Sequence, residues 1–395
     1  MHTLLYISLV VIAYVYVGYP LLLRANALGR PRRFLRARIH PTISIIVPAH
    51  DEEANIGAKL RNLLALDYPR DRVEILIGSD GSSDRTEAIV RAFTHEGVGL
   101  ISFPKQLGKS AMQNGLVDAA SGEILVFTDA DCLLHCEALR LLAEHFTDAR
   151  VGLVTTAPRY VNADETSVTS NESLYLRYET WMRSLESDRG LLAMASGSCF
   201  AMRRCLWQPL DRADGDDFVL PLRVAEAGLV NRLDPRVGVF TRLSQNRPWA
   251  MLRMKARIIS KDSRALLKHA ALLDPFRRGT LALSLWSHKL LRWLVPYFLM
   301  VVLAASCTLR ADPPMRAILA MQIIFYALAL AGFAQPERSA NTLFKIPMSF
   351  CLVNLAALVG TLRSLTGRTS GLWTPDRSGS LPLSDPAATH ITRAK

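Results

Sequence analysis

Apolar residues come in short blocks through the middle of the chain and in long blocks at both ends. Five short blocks, residues 42–48, 73–78, 99–103, 124–128 and 151–156, are rich in Ile, Val and Leu and read as buried strands. Polar turns and amphipathic stretches follow them: a helix opening through residues 49–56 with acids in its first turn, a helix over 85–93 and another over 110–120. Strands alternating with helices predict an α/β unit built on a mainly parallel, Rossmann-like sheet, with ligands beyond the carboxyl ends of the strands. The polar residues singled out below fall at those ends.

The long blocks predict something else. Residues 4–23 carry no charge and suffice to cross a hydrocarbon core as a helix. A secretory signal is the competing reading, since Ala25, Asn26 and Ala27 imitate a cleavage site. The block lacks a preceding Lys or Arg, however, and is longer than a usual signal core. Arg24, Arg30, Arg32, Arg33, Arg36 and Arg38 follow at once, which places the next domain in the cytoplasm by the positive-inside rule. Residues 294–309, 317–334 and 346–362 are further uncharged runs, the first flanked by His288, Lys289 and Arg292. Three spans starting inside would leave the tail outside, whereas Arg363, Arg368 and Arg377 argue for inside, so two to three C-terminal spans are expected. The expected organisation is a transmembrane helix over 1–23, a basic linker over 24–40, a catalytic domain over 41–240, amphipathic interfacial helices over 241–289, a membrane region over 290–365 and a disordered tail over 366–395.

Composition adds two constraints. Of 395 residues 50% are hydrophobic, and the net charge of +12 suits a nucleic acid, an anionic membrane or a phosphorylated substrate. The arginines beside a span favour the membrane, and no basic patch interleaved with aromatics supports nucleic acid. Six cysteines show no zinc-type pairing, and His135 between Cys132 and Cys136 only sketches one; reduced, packed thiols are expected.

The chemistry gathers around residues 124–131. If the strand persists to its end, Asp129 and Asp131 emerge on one side, and two carboxylates in one space call for a hard cation, Mg²⁺ or Mn²⁺. A strand end leading into a helix capped by Asp131 is the plainer alternative. Upstream lie Pro48-Ala49-His50-Asp51-Glu52 after the first strand, Asp80-Gly81-Ser82-Ser83-Asp84 after the second and Gly108-Lys109 opening the third helix. Taken alone, the Asp80–Asp84 stretch also reads as a turn and helix cap.

In this order, on these elements, the motifs resemble those of the family 2 glycosyltransferases, nucleotide-sugar enzymes with a GT-A fold. The resemblance spans roughly residues 42–217. It implies that Pro48, Glu52 and Asp80 line the base and ribose of a UDP- or GDP-sugar, that Lys109 lies near the nucleotide, and that Asp131 ligates the metal with Asp129 assisting. Ser79 departs from the family's paired aspartates. Gly197 and Ser198 resemble its acceptor loop, where small residues let a sugar approach backbone amides. Gly215-Asp216-Asp217 resembles its helix start bearing the catalytic base, here Asp217 with Asp216 in reserve. Inverting transfer needs such a carboxylate to take the acceptor proton and a cation to stabilise the leaving diphosphate. Gln245-Asn246-Arg247-Pro248-Trp249 has the residues of the Gln-x-x-Arg-Trp motif of processive members at the wrong spacing, with Pro248 expected to disturb a helix. Arg257, on a basic helical stretch, is the better candidate to reach the diphosphate, with an interfacial helix as the plain alternative. Leu174, Tyr178, Trp181 and Leu185 form an apolar stripe that reads as core.

The expected protein is a membrane-anchored, inverting glycosyltransferase of the inner membrane, acting at the cytoplasmic face on a lipid-linked or growing glycan. A processive polysaccharide synthase is the alternative within the class, and a non-catalytic nucleotide-sugar-binding scaffold the one outside it.

Overall fold

A computed structural model describes residues 1–160, 167–241, 248–334 and 341–366. These fall into two compact units, one drawn from Arg32–Val161 and Gly190–Ser244, the other from Met1–Pro31, Asn162–Arg189 and Gln245–Thr369.

The first unit is built on eight strands: β1 Ile43–Ala49, β2 Val73–Asp80, β3 Val98–Phe103, β4 Ile124–Thr128, β5 Leu133–Leu134, β6 Val151–Tyr160, β7 Cys199–Arg203 and β8 Val230–Thr241. Their order is β3-β2-β1-β4-β7-β6-β8-β5. The half formed by β3, β2, β1 and β4 is parallel, and every residue of β1 and β4 is buried, as mostly apolar strands inside a parallel sheet require. At β7 the direction reverses. Thr128 pairs with Cys199 across an antiparallel ladder, so the start of β7 lies beside the end of β4. The residues just before β7, Gly197 and Ser198, are thereby delivered next to Asp129. Five helices accompany the sheet: α1 Ile56–Leu64, α2 Thr86–Ala92, α3 Lys109–Ala119, α4 Ala138–Glu144 and α5 Asp216–Glu226.

The first helix begins at Ile56, later than the acid-rich stretch from Ala49 suggested. The backbone between is committed to the loop after β2. Asp51 takes a left-handed φ of 52° and accepts from the Ser83 amide at 2.6 Å, while the amides of Glu52 and Glu53 donate to Thr86 Oγ1 at 2.7 Å and Asp84 Oδ2 at 3.0 Å. These cross-links join the two loops and cost the helix its first turn.

Part of the arginine-rich segment packs on this unit. The ring of Phe34 lies against the guanidinium groups of Arg150 and Arg232, 5.0 and 4.3 Å from its centroid, and Arg36 pairs with Asp234 at 3.6 Å.

Among the described residues, the second unit contains four helices long and apolar enough to cross a membrane: His2–Arg24, Thr280–Thr308, Pro313–Ala334 and Thr342–Leu365. The second of these starts well before the uncharged run at 294 and takes in His288 and Arg292. It can do so because those groups are satisfied within the unit. His288 lies 2.8 Å from Glu186 Oε1 and 2.9 Å from Glu179 Oε1, Arg292 donates to Glu179 Oε2 at 2.8 Å, and the Tyr19 hydroxyl donates to Glu186 Oε1 at 2.5 Å. The same network corrects the reading of helix Ser167–Arg189. Its apolar stripe is only partly buried: Tyr178 and Leu185 are half-buried and Trp181 exposed, whereas Glu179, Met182, Arg183 and Glu186 are buried; the Leu174 side chain lies outside those described. Pro248 does not disturb a helix but opens one, Pro248–Lys268, where its missing amide is no loss. Gln245, Asn246 and Arg247, and the tail beyond residue 366, lie outside the described residues.

Candidate active site

The carboxyl ends of β1, β2 and β4 and the approach to β7 meet at one edge of the sheet. Pro48 is buried near the end of β1. Asp80, the last residue of β2, is fully buried, and its two carboxylate oxygens accept from the amides of Leu107 at 2.6 Å and Gly108 at 2.9 Å. It thus holds the loop that leads into α3. Gly81 makes this possible: its φ is +64°, and a Cβ there would stand 2.8 Å from the backbone of Lys105 and Gln106. His50 belongs to the same corner, with Nδ1 2.7 Å from the Asp80 carbonyl oxygen.

The loop delivers Lys109 at the head of α3. Its ammonium lies 2.9 Å from Asp129 Oδ1 and 3.2 Å from Asp216 Oδ2. Burial works against the charge, but Asp129 and Asp216 outweigh it and hold Lys109 protonated beyond the usual lysine range. Asp216 is buried and also accepts from Gln113 Nε2 at 2.7 Å.

Asp217 occupies a different place. A Cβ built on Gly197 would lie 3.6 Å from Asp217 Oδ2 and 3.9 Å from Asp129 Oδ2. Two carboxylates from distant parts of the chain therefore face the same glycine. The loop carrying that glycine is tied to α5, because the Ala195 amide donates to the Asp217 carbonyl at 2.7 Å. Within a regular helix that carbonyl would accept from residue 221, which is a proline inside α5.

The strand geometry of β4 stops at Thr128, and Asp129 to Asp131 form a turn. Asp129 is half-buried and Asp131 open to solvent. Desolvation by the neighbouring protein groups, and then the charge of Asp129, raise the Asp131 carboxyl to about 6, with Lys59 and Lys109 opposing. Glu52 is raised to about 7, chiefly by burial; the Asn55 amide opposes, and Asp131 and Asp129 add to the rise. Glu52, Asp129 and Asp131 thus form a patch of excess negative charge. Among the described residues no three His, Cys, Asp or Glu side chains are arranged to hold an ion by themselves. Two carboxylates with remaining positions open is, however, how Mg²⁺ is commonly held together with substrate phosphates, so the residues fit such a cation.

Of the residues expected from sequence, the structure brings Lys109, Asp129, Gly197, Asp216 and Asp217 together, with Glu52 and Asp131 in their electrostatic reach and Ser198 bonded through its carbonyl to Thr128 Oγ1 at 2.9 Å. Arg257 lies half-buried on helix Pro248–Lys268 of the helical unit. Sequence reading missed Lys59, Gln113, His50 and Pro221. A signal existed for Lys59, which occupies the apolar stripe of Ile56, Leu60 and Leu63.

The mixed, mostly parallel sheet resembles the GT-A fold. Residues 44–208 match the family described as Glycosyl transferase family 2. A probable glycosyltransferase of Bacillus subtilis, YdaM, is 31% identical over 207 residues, 49% of each chain. A beta-monoglucosyldiacylglycerol synthase of Trichormus variabilis is 29% identical over 209 residues, 50% of this chain and 44% of the other. The chain spans about half the length of these curated relatives. The same fold is found in a mannosyltransferase from Pyrobaculum calidifontis, solved in complex with GDP-Man and Mn²⁺, with a TM-score of 0.68, 23% identity and coverage of 92% of this chain and 99% of that one.

Proposed function

We propose that the protein is a membrane-bound inverting glycosyltransferase that moves one sugar from a UDP- or GDP-sugar to a hydroxyl of a lipid-linked or growing glycan. The observation that carries the reading is the convergence of Asp129 and Asp217 on Gly197, a point where a bulkier residue would occupy the space between the two carboxylates. Pro48 and Glu52 line the nucleoside, and Asp80 sets the loop that presents Lys109. Asp131 and Asp129 would hold Mg²⁺ or Mn²⁺, whose positive charge would stabilise the leaving diphosphate. Gly197 and Ser198 admit the acceptor. Asp217 takes the proton of its hydroxyl while the oxygen bonds to the anomeric carbon from the face opposite the diphosphate, whose C–O bond breaks. Asp216 is the weaker candidate base, since Lys109 and Gln113 already occupy its Oδ2.

Four apolar helices support a membrane location, and a glycolipid synthase among the relatives supports a lipid-linked acceptor. Because residues 34–36 pack on the α/β unit, the arginines that favour the cytoplasmic face and the active site belong on one side of the inner membrane. Arg257 remains the candidate for the diphosphate from the helical unit.

The test is nucleotide release by the full-length protein in detergent from a panel of UDP- and GDP-sugars, with Mg²⁺ or Mn²⁺, with and without a lipid-linked glycan extract. Acceptor-dependent release that disappears in both Asp131→Ala and Asp217→Asn is the expected result. Donor binding without acceptor-stimulated turnover, unchanged by Asp217→Asn, would overturn it in favour of a binding scaffold.

A further inference from the structure

Lys59 stands on the buried face of α1 with none of its surface exposed. Its ammonium donates to Thr128 Oγ1 and to the Cys132 carbonyl, both at 2.8 Å, and approaches Cys132 Sγ at 3.7 Å. These are the residues on either side of Asp129, Ala130 and Asp131. One buried cation therefore grips both ends of the turn that carries the two acids. The grip extends to the opposite strand: Thr128 Oγ1 and Cys132 Sγ both donate to the Ser198 carbonyl, at 2.9 and 3.1 Å, and Cys132 Sγ also lies 3.3 Å from the Asp129 carbonyl.

The energetics make this hard to explain as packing. All three groups that the ammonium touches are neutral, and the charge that offsets its desolvation is that of Asp131, on the turn itself. An apolar side chain of the same length in the stripe of Ile56, Leu60 and Leu63 would serve the core as well or better. A charge kept where the local rule asks for a hydrophobe points to a functional demand.

We propose that Lys59 is a positioning residue: by clamping Thr128 to Cys132 it fixes the separation and direction of Asp129 and Asp131 for the cation, and locks the carbonyl of Ser198 in the acceptor loop to the same frame. The inference rests on the proposed metal role of those two acids. Lys59 touches neither substrate nor metal and acts through the backbone it holds.

The experiment compares wild type, Lys59→Met and Asp131→Asn as full-length proteins in detergent, following Mn²⁺ binding by the electron paramagnetic resonance of the free ion and thermal unfolding in EDTA. Lys59→Met is expected to melt at or above the wild-type temperature yet bind Mn²⁺ about 10-fold more weakly or worse, the range seen when a group supporting metal ligands is removed. A merely structural lysine would give the reverse, a lower melting temperature with unchanged affinity in the folded protein. Wild-type affinity in Lys59→Met, with Asp131→Asn impaired, overturns the inference and leaves the metal site standing. Wild-type affinity in Asp131→Asn overturns the metal site and the inference with it. Should Lys59→Met fail to fold, Thr128→Val removes the hydroxyl while keeping the branched shape: weakened Mn²⁺ binding supports the clamp, and unchanged binding overturns it.

Discussion

The Ala195 amide bonds to the Asp217 carbonyl at 2.7 Å, an acceptor that Pro221 leaves open one helical turn later. A proline inside a helix is normally a defect, because it removes an i→i−4 bond. Here the freed carbonyl is the anchor by which the loop holding Gly197 is fixed to the helix holding the proposed base. Pro221→Ala restores the intrahelical donor and sets it in competition with Ala195. The expected outcome is an unchanged or higher melting temperature with kcat lowered about fivefold, the value of one hydrogen bond of ~1 kcal/mol. Steady-state kinetics beside a thermal melt decide it; a kcat equal to wild type would show that the loop needs no such tie.

Gly197→Ala and Gly81→Ala are predicted to fail in opposite ways. The added Cβ at 197 meets Asp217 Oδ2 and Asp129 Oδ2 at ordinary contact distances, so folding is preserved while the acceptor loses its space. Acceptor kcat/KM should fall by about 10-fold or more, through misplacement of the acceptor, with nucleotide affinity nearly unchanged. At 81 the same methyl meets backbone at 2.8 Å in a left-handed conformation, and stability should drop by ~1–3 kcal/mol.

Replacing Lys109 tests the two carboxylates it joins. Lys109→Met leaves Asp216 buried beside Gln113 alone, and breaking such a pair costs about 3–5 kcal/mol. Adding Asp216→Asn should recover much of the stability, since the uncompensated charge is gone, without recovering activity. Additive losses in the double variant would disprove the coupling.

Glu52 gives a pH dependence of definite sign. Its carboxyl is raised to about 7 in the folded protein, mainly by burial, so between about pH 4.5 and 7 the unfolded chain releases a proton that the folded one keeps. Stability from this group therefore falls as pH rises through that window. Glu52→Gln removes this group's share of the dependence: in EDTA the variant should match wild type near pH 4 and exceed it near pH 8, by an amount on the order of 3 kcal/mol. Melting curves at the two pH values suffice, and an equal offset at both would contradict the assignment.

The strands and the order of the motifs were legible because runs such as Ile45–Val47 and Ile124–Phe127 have few alternatives to burial in a sheet. The acids at their ends were legible because ends of strands are where such sheets bind ligands. Other features depend on partners far along the chain. Nothing local to residues 49–55 reveals that their amides serve the loop at 82–86 instead of a helix. The apolar stripe on Ser167–Arg189 misled because two glutamates on its other face find His288 and Arg292 from a distant helix. Lys59 was passed over since lysine at the surface is the ordinary expectation, and only the acceptors at Thr128 and Cys132 show otherwise.

The pairing of Thr128 with Cys199 also sets an order of events during folding. Between β6 and β7 the chain leaves the α/β unit to supply helix Ser167–Arg189 to the other unit, and returns only at Gly190. The parallel strands β1 to β4 can associate from a nearly continuous segment, whereas β7 must close a long loop before it reaches β4. The edge that carries the proposed site is thus expected to form late, after the intervening helix has been synthesised. A chain halted before Gly190 would carry the proposed nucleotide and metal residues but neither proposed base, Asp216 nor Asp217.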